Sequence, residues 1–286
     1  MLTTAELKSL LTTHHLRLTK RLGQHHLIDA RVIRRIVEAC ALSQSDTVVE
    51  IGAGLGALTE SLAQQAGRVL AVERDRGICA LLAERMAPLA HVSVECRDIL
   101  TYSPQQLDGA VVVGAIPYHI TSQILVWLSD ARRATRKAVI VVQQEVAKRL
   151  VARPGTDAYG RLSVLAQYGW DVRLLFSISR SAFFPQPAVD SSCLELLPRR
   201  LAPVRVPDER AFFEIVKAAF SQRRKTLMNC LSGLTVTNGG GRRLPVVRAD
   251  VASALKEMQL REAVRGERLS LEQFAELTDW LLRIRK

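Results

Sequence analysis

Three acidic residues and three glycines fall at intervals that suit one ligand. In DTVVEIGAGLGALTE, Glu50 closes an apolar run, and Gly52, Gly54 and Gly56 follow it into a helical pattern. Glycines at such a turn let the backbone approach a ligand, and the helix start offers free N–H groups. The spacing is GxGxG, short of the GxGxxG dinucleotide fingerprint, and Glu50 suits adenosyl-methionine better than a pyrophosphate. Glu73 ends the next apolar run, in AVERD, where a carboxylate can accept both hydroxyls of a ribose. Asp98 ends a third, in ECRD, where it can accept from an adenine amino group. Taken singly, each acid reads more readily as a solvated strand end or a helix cap. At successive strand ends, on the sheet edge where α/β folds bind ligands, they point together to an adenosine-containing ligand.

A fourth run, VVVGAIPYHIT from Val111 to Thr121, carries β-branched residues into Gly114 and then Ala115-Ile116-Pro117-Tyr118. A strand that stops at Pro-Tyr can deliver an aromatic ring to a site. Ala115, just before it, can do no chemistry.

These residues need elements to hold them. The spacing predicts a short helix around Thr4–Thr12, a basic loop RLTKRLGQHHLID, and a helix over Ala30–Cys40 capped by Asp29. Short apolar strands then alternate with helices of ten or so residues as far as KAVIVVQQE, the signature of a parallel sheet covered on both faces. Beyond a helix from Arg161 to Tyr168, WDVRLLFSIS and SSCLELLPR can form an antiparallel edge pair. From Asp208 onward the pattern is helical, with Ser270 and Gln273 as a capping box and the Gly-rich TVTNGGGRRLPVV as a mobile link. We therefore expect an α/β, Rossmann-like domain over 1–200 with a basic arm over 1–30, and a smaller all-α domain over 201–286.

The chain has 286 residues, 48% apolar and 24% charged, which excludes disorder as a whole. No apolar run approaches the roughly 20 residues of a membrane helix, and the N-terminus shows no secretory signal. Five cysteines without a CxxC suggest reduced thiols in a cytoplasmic setting and no metal site. Net charge is +12, and from Arg199 onward 18 Lys/Arg stand against 10 Asp/Glu. Up to Gln24, Lys8, Arg17, Lys20 and Arg21 face only Glu6. Such bias favours encounter with a polyanion, although solubility alone can also explain it.

The chain resembles the rRNA adenine N6,N6-dimethyltransferases of the KsgA type, relatives of the erythromycin-resistance methylases. The resemblance covers nearly the whole chain: LGQHHLID, EIGAGLGALT, QQEVAKRLVARPG, YGRLSV, FFPQPAVDSS and AFSQRRKTLMN. It implies S-adenosylmethionine as methyl donor, with no metal, held by residues including Gln24, His25, Leu27, Glu50, Gly52, Gly54, Gly56, Glu73, Asp98 and Ala115. It implies an adenine turned out of its RNA stack, with Tyr118 on one face and Phe184 closing on the other. Lys20 and Arg21 next to the donor loop, and Arg223, Arg224 and Lys225 at a helix start, are the candidate phosphate contacts. The implied partner is small-subunit rRNA or the pre-ribosomal small subunit, met by a monomer without a membrane.

Two departures from the family pattern matter. Acceptors aimed at an adenine amine favour its nucleophilic geometry, and the family supplies an asparagine oxygen followed by a backbone carbonyl. Here Ile116 can offer the carbonyl, but Ala115 has no side-chain acceptor. His25 and His26 replace an Asn-Phe pair. Three accounts of Ala115 stay open: a side chain removed to trap a complex, a lineage that keeps RNA binding without methyl transfer, or another group in its place. His119 is near in sequence, although a helix start after Tyr118 aims it elsewhere. The alternatives to a small-subunit methylase are thus a weak or inactive assembly factor and a large-subunit methylase of the resistance type.

Overall fold

In the computed structural model the described residues are 4–16, 25–237 and 240–284. They fall into two compact units, Met1–Ala147 with Trp170–Pro198, and Lys148–Gly169 with Arg199–Lys286. In chain order the elements are α1 (Thr4–Thr13), β1 (His26–Leu27), α2 (Ala30–Cys40), β2 (Thr47–Ile51), α3 (Ala57–Ala63), β3 (Arg68–Glu73), α4 (Arg76–Met86) and β4 (Val92–Cys96). Then follow β5 (Ala110–Ala115), α5 (Thr121–Ala131), β6 (Thr135–Gln143), α6 (Gln144–Leu150), α7 (Arg161–Gly169), β7 (Trp170–Ile178), β8 (Phe183–Phe184) and β9 (Ser191–Pro198). The last are α8 (Glu209–Ala219), α9 (Leu227–Leu231), β10 (Thr235–Thr237), β11 (Arg243–Pro245), α10 (Arg248–Glu257) and α11 (Leu271–Arg283).

The first unit is built on a seven-stranded sheet in the order β4-β3-β2-β5-β6-β9-β7. Strands β2 to β6 run parallel, and β9 and β7 add the expected antiparallel edge pair. The β-branched runs disappear into it: Val48, Val69, Val111 and Val139 are fully buried against Ile33 and Ile36 of α2 and Leu62 of α3. Asp29 caps α2 as expected, accepting from the N–H groups of Arg31 and Val32.

The second unit is a helical cluster, and it differs from the expected 201–286 in two ways. It takes in α7, because Val164 and Tyr168 bury their apolar face among its helices; the Tyr168 ring lies 5.2 Å from Phe212 and 5.2 Å from Phe213. It is also not wholly helical. Where a mobile Gly-rich link was expected, β10 and β11 pair antiparallel, with Val236 opposite Leu244 and both buried. The Ser270–Gln273 capping box on α11 is present.

The expectation of reduced thiols is corrected. Cys79 of α4 and Cys96 of β4 form a disulfide, with Cα atoms 5.7 Å apart, while Cys40, Cys193 and Cys230 are free. Packing of α4 on the sheet beside β4 brings the two together, which a 17-residue separation does not announce. No helix among the described residues is long and apolar enough to cross a membrane.

Candidate functional site

Parallel pairing of β4, β3, β2 and β5 lines up their C-terminal ends on one edge. A cavity of about 250 Å³ opens there, lined by Gly52, Gly54, Glu73, Asp98, Ala115 and Pro117, together with His25, His26 and His119. Beside it lies a small chamber of about 40 Å³, whose wall includes Leu27, Glu50, Gly52, Ala115 and the same two histidines, His25 and His26.

The glycine turn sits on the end of β3. Gly52 and Gly54 have φ of 68° and 57°, which only glycine adopts without strain. Val72 accepts from the N–H groups of Gly52 and Ala53, at 2.9 and 3.2 Å. A Cβ on Gly54 would come within 2.7 Å of His26 Nδ1, so a side chain there would have to displace that ring. Glu73 is tied to the same turn: Oε2 accepts from Gly54 N at 2.9 Å, and Oε1 accepts from Arg74 N and Asp75 N at 2.8 and 2.9 Å. Burial raises its pKa, and these backbone donors offset only part of the rise. Three N–H groups leave lone-pair capacity on the two oxygens for a ligand.

Asp98 lies at the next strand end. It caps a short 3₁₀ turn by accepting from Leu100 N at 3.0 Å, and its other oxygen faces Arg74 at 3.3 Å. Three of the proposed donor residues, Leu27, Glu50 and Gly56, stand off the main cavity, and Leu27 lines only the chamber. Glu50 is 2% exposed, receives the Thr59 hydroxyl at 2.5 Å, and reaches only the chamber. Burial pushes its pKa up to about 8, so it carries a proton at neutral pH. Gly56 is the N-cap of α3 and faces α4, where a Cβ would meet Leu82 and Met86 at 2.8 and 3.1 Å.

The end of β5 presents the alanine. Ala115 lines both the cavity and the chamber with a methyl group alone. Ile116 is buried and its N–H donates to Val141 O. Pro117, His119 and Ile120 line the cavity, while Tyr118, which begins the 3₁₀ turn Tyr118–Ile120, is not among the lining residues. That turn keeps the exposed His119 on the cavity wall, against the expectation that it aims elsewhere. Tyr118 is fixed from two sides: its hydroxyl is 2.9 Å from Ser191 Oγ, and its ring lies 5.5 Å from His25. His25 Nδ1 stands 2.6 Å from Pro185 O, and because a carbonyl only accepts, Nδ1 carries the proton. Phe184 pairs with His26 across β1 and β8 and packs with the Leu7–Leu11 cluster, with the Lys8 ammonium 5.3 Å above its ring.

Gln24, Lys20 and Arg21 lie outside the described residues. In the second unit, Arg223, Arg224 and Lys225 are exposed, but they occupy the turn before α9 and not a helix start. Thr226 is the N-cap of α9. Arg223 donates to the Asp157 carbonyl at 2.8 Å.

Several cavity residues escaped the sequence reading. Ile78 and Ile99 supply apolar wall, and Arg74 and Arg97 supply charge beside Asp98. Their only sequence signal is closeness to a strand-end acid: Arg74 and Ile78 follow Glu73, and Arg97 and Ile99 flank Asp98. His26 was noted only as a departure from the family pattern; the structure puts its ring under the glycine turn.

A Rossmann-like sheet with a glycine turn after its first parallel strand and acids at the next two strand ends defines the methyltransferase class of α/β domain. The family model for ribosomal RNA adenine dimethylases matches residues 15–280, and the chain belongs to that family. It is 41% identical over 271 residues to "Ribosomal RNA small subunit methyltransferase A" of Bacillus mycoides (strain KBAB4), covering 92% of this chain and 91% of that one. The protein of the same name from Bacillus cereus (strain AH187) matches with the same identity and coverage. Among solved structures, a dimethyladenosine transferase from Plasmodium falciparum superposes with a TM-score of 0.72 at 24% identity, covering 88% of this chain and 96% of that one. The 23S rRNA methyltransferase ErmE gives 0.64 at 28% identity, with 89% and 98% covered.

Proposed function

We propose that this chain transfers methyl groups from S-adenosylmethionine to the N6 amines of adenines in small-subunit rRNA. The observation that carries the reading is the row of groups that adjoining strand ends bring to one cavity: the glycine turn, Glu73, Asp98, Ala115 and Pro117. The donor set fits S-adenosylmethionine. Free acceptor capacity on Glu73 suits a ribose diol, Asp98 suits an adenine amino group, and Ile78 and Ile99 suit the faces of a base. When bound, that donor supplies an electrophilic methyl group on a sulfonium.

The chain's own residues then orient the acceptor. Tyr118, held by Ser191 and His25, offers a fixed ring for a flipped adenine, with Phe184 for its other face; such stacking is worth roughly 1–3 kcal/mol per base. Ile116 offers its carbonyl to the amine. Exposed Arg223, Arg224 and Lys225 in the second unit contact phosphates, as do Lys20 and Arg21. The working form is a cytoplasmic monomer acting on the pre-ribosomal small subunit, and the two units divide the labour as catalytic domain and rRNA grip.

Ala115 favours a second reading, an rRNA-binding assembly factor with weak or no transfer, because the wall carries a methyl group where the amine needs an acceptor. The large-subunit reading has less support, with 28% identity to ErmE against 41% to the small-subunit enzymes. The deciding experiment follows labelled methyl transfer to unmethylated small subunits by this chain and by Ala115→Asn, with RNA binding checked for both. An asparagine variant faster by roughly a hundredfold identifies a methylase pocket short of one acceptor. Equal rates mean that another group orients the amine. No transfer with intact binding gives the assembly-factor reading.

A further inference from the structure

Among the described residues lining the cavity, His26 alone carries a buried polar side-chain atom with no hydrogen-bond partner, its Nε2. The His26 ring lies against the Gly54 backbone. Its backbone is paired to β8 opposite Phe184, and Nδ1 and Cε1 lie so close to Gly54 that no Cβ fits between them. Burial pushes its pKa down to about 4, with His25 adding to the effect, so the imidazole is neutral at physiological pH. An orphaned polar atom at such depth costs stability unless something pairs with it.

The surroundings narrow what that partner can be. His26 lines both the cavity and the chamber, in company with Gly52 and Ala115. Of the chamber's other polar side chains, Glu50 Oε2 receives the Thr59 hydroxyl and His25 Nδ1 faces Pro185 O. Ala115 brings no acceptor. A neutral imidazole offers a lone pair at one nitrogen, and a cationic N–H is the donor that makes its strongest hydrogen bond. The adenosine end of the donor belongs with Glu73 and Asp98, which leaves its amino-acid end for the wall of His26, Gly52 and Ala115.

We propose that His26 Nε2 accepts a hydrogen bond from the α-ammonium of the methyl donor. The inference rests on the donor reading above. It assigns Nδ1 the proton and makes His26 a binding residue for the donor, separate from the residues that face the RNA base.

The test is calorimetric binding of three probes to the full chain: S-adenosylhomocysteine, its desamino analogue that keeps the carboxylate, and 5′-methylthioadenosine, which lacks the amino-acid end. His26→Phe weakens S-adenosylhomocysteine about tenfold or more and leaves the other two probes unchanged. His26→Gln, which restores an acceptor, recovers part of the loss, and thermal melts confirm that both variants fold. Equal losses for all three probes make His26 a packing residue and overturn the proposal. A loss shared by the desamino analogue moves the contact to the carboxylate and overturns the ammonium assignment. If the unaltered chain binds 5′-methylthioadenosine and S-adenosylhomocysteine and neither variant changes anything, the donor reading stands and this inference fails. If the unaltered chain binds no probe, both fall.

Discussion

Gly54 donates its backbone N–H to Glu73 Oε2 at 2.9 Å, so the turn after β2 and the carboxylate at the end of β3 form one hydrogen-bonded unit. The same carboxylate gathers the N–H groups of Arg74 and Asp75 at the start of α4. Glu73 therefore shapes the cavity as well as offering acceptors to it. In Glu73→Gln, one oxygen becomes an amide NH₂ that must face either Gly54 or the Arg74–Asp75 pair, donor against donor. Affinity for S-adenosylhomocysteine falls at least tenfold, in line with about 1.5–3 kcal/mol for a hydrogen bond to a charged group. Calorimetry measures it, and unchanged affinity removes Glu73 from the ribose site.

The turn before α9 exposes Arg223, Arg224 and Lys225 together. Reversing two of these charges, in Arg223→Glu with Arg224→Glu, weakens rRNA binding. It also makes log K less steep in log salt by about 1 to 2, since each phosphate contact contributes somewhat under one. Filter binding across a salt series gives both quantities. If the slope stays put, the second unit does not grip RNA through this turn.

How much of this was legible in the chain depends on whether the signal is local. The strand ends were readable because β-branched runs stop at Glu50, Glu73, Asp98 and Ala115, and the caps at Asp29 and Ser270 are local hydrogen bonds. Tertiary partners were not readable. Tyr168 joins the second unit through rings more than forty residues away, Phe212 and Phe213. The β10–β11 ribbon was masked by glycines and needed Val236 and Leu244 to find a common core. The placement of His26 was equally hidden, since only the fold brings its ring up to the Gly54 backbone.

Cys79 sits buried on α4 while Cys96 is exposed at the end of β4, next to Arg97 and Asp98 of the cavity wall. Closing a loop of this length is worth about 3 kcal/mol in the chain-entropy account. Adding reductant lowers the urea midpoint of the native chain by a corresponding amount and leaves Cys79→Ser unmoved. Thiol titration of the unfolded, unreduced protein finds three free thiols, Cys40, Cys193 and Cys230. A count of five places the chain in the reduced state that its cysteine spacing suggested.

Two buried groups give the stability opposite pH slopes. His26 titrates near 4 in the native chain, against an ordinary value of 6.5. Between those values the unfolded chain takes up a proton that the native chain refuses. Stability is therefore lost as pH falls from about 6.5 to about 4, by up to about 3 kcal/mol at 1.36 kcal/mol per pH unit. Glu50 behaves in the other sense: its native value of about 8 lies above the ordinary 4.5, so stability is lost as pH rises through that interval. The two slopes oppose each other between 4.5 and 6.5, and single variants separate them. Relative to the native chain, His26→Phe becomes progressively more stable as pH falls from 7 to 4.5, while Glu50→Gln loses the decline between 6.5 and 8. Urea midpoints taken across that range decide the matter. A constant gap between His26→Phe and the native chain shows that His26 protonates as freely as an exposed imidazole, and that its neutrality beneath Gly54 is not what burial imposes.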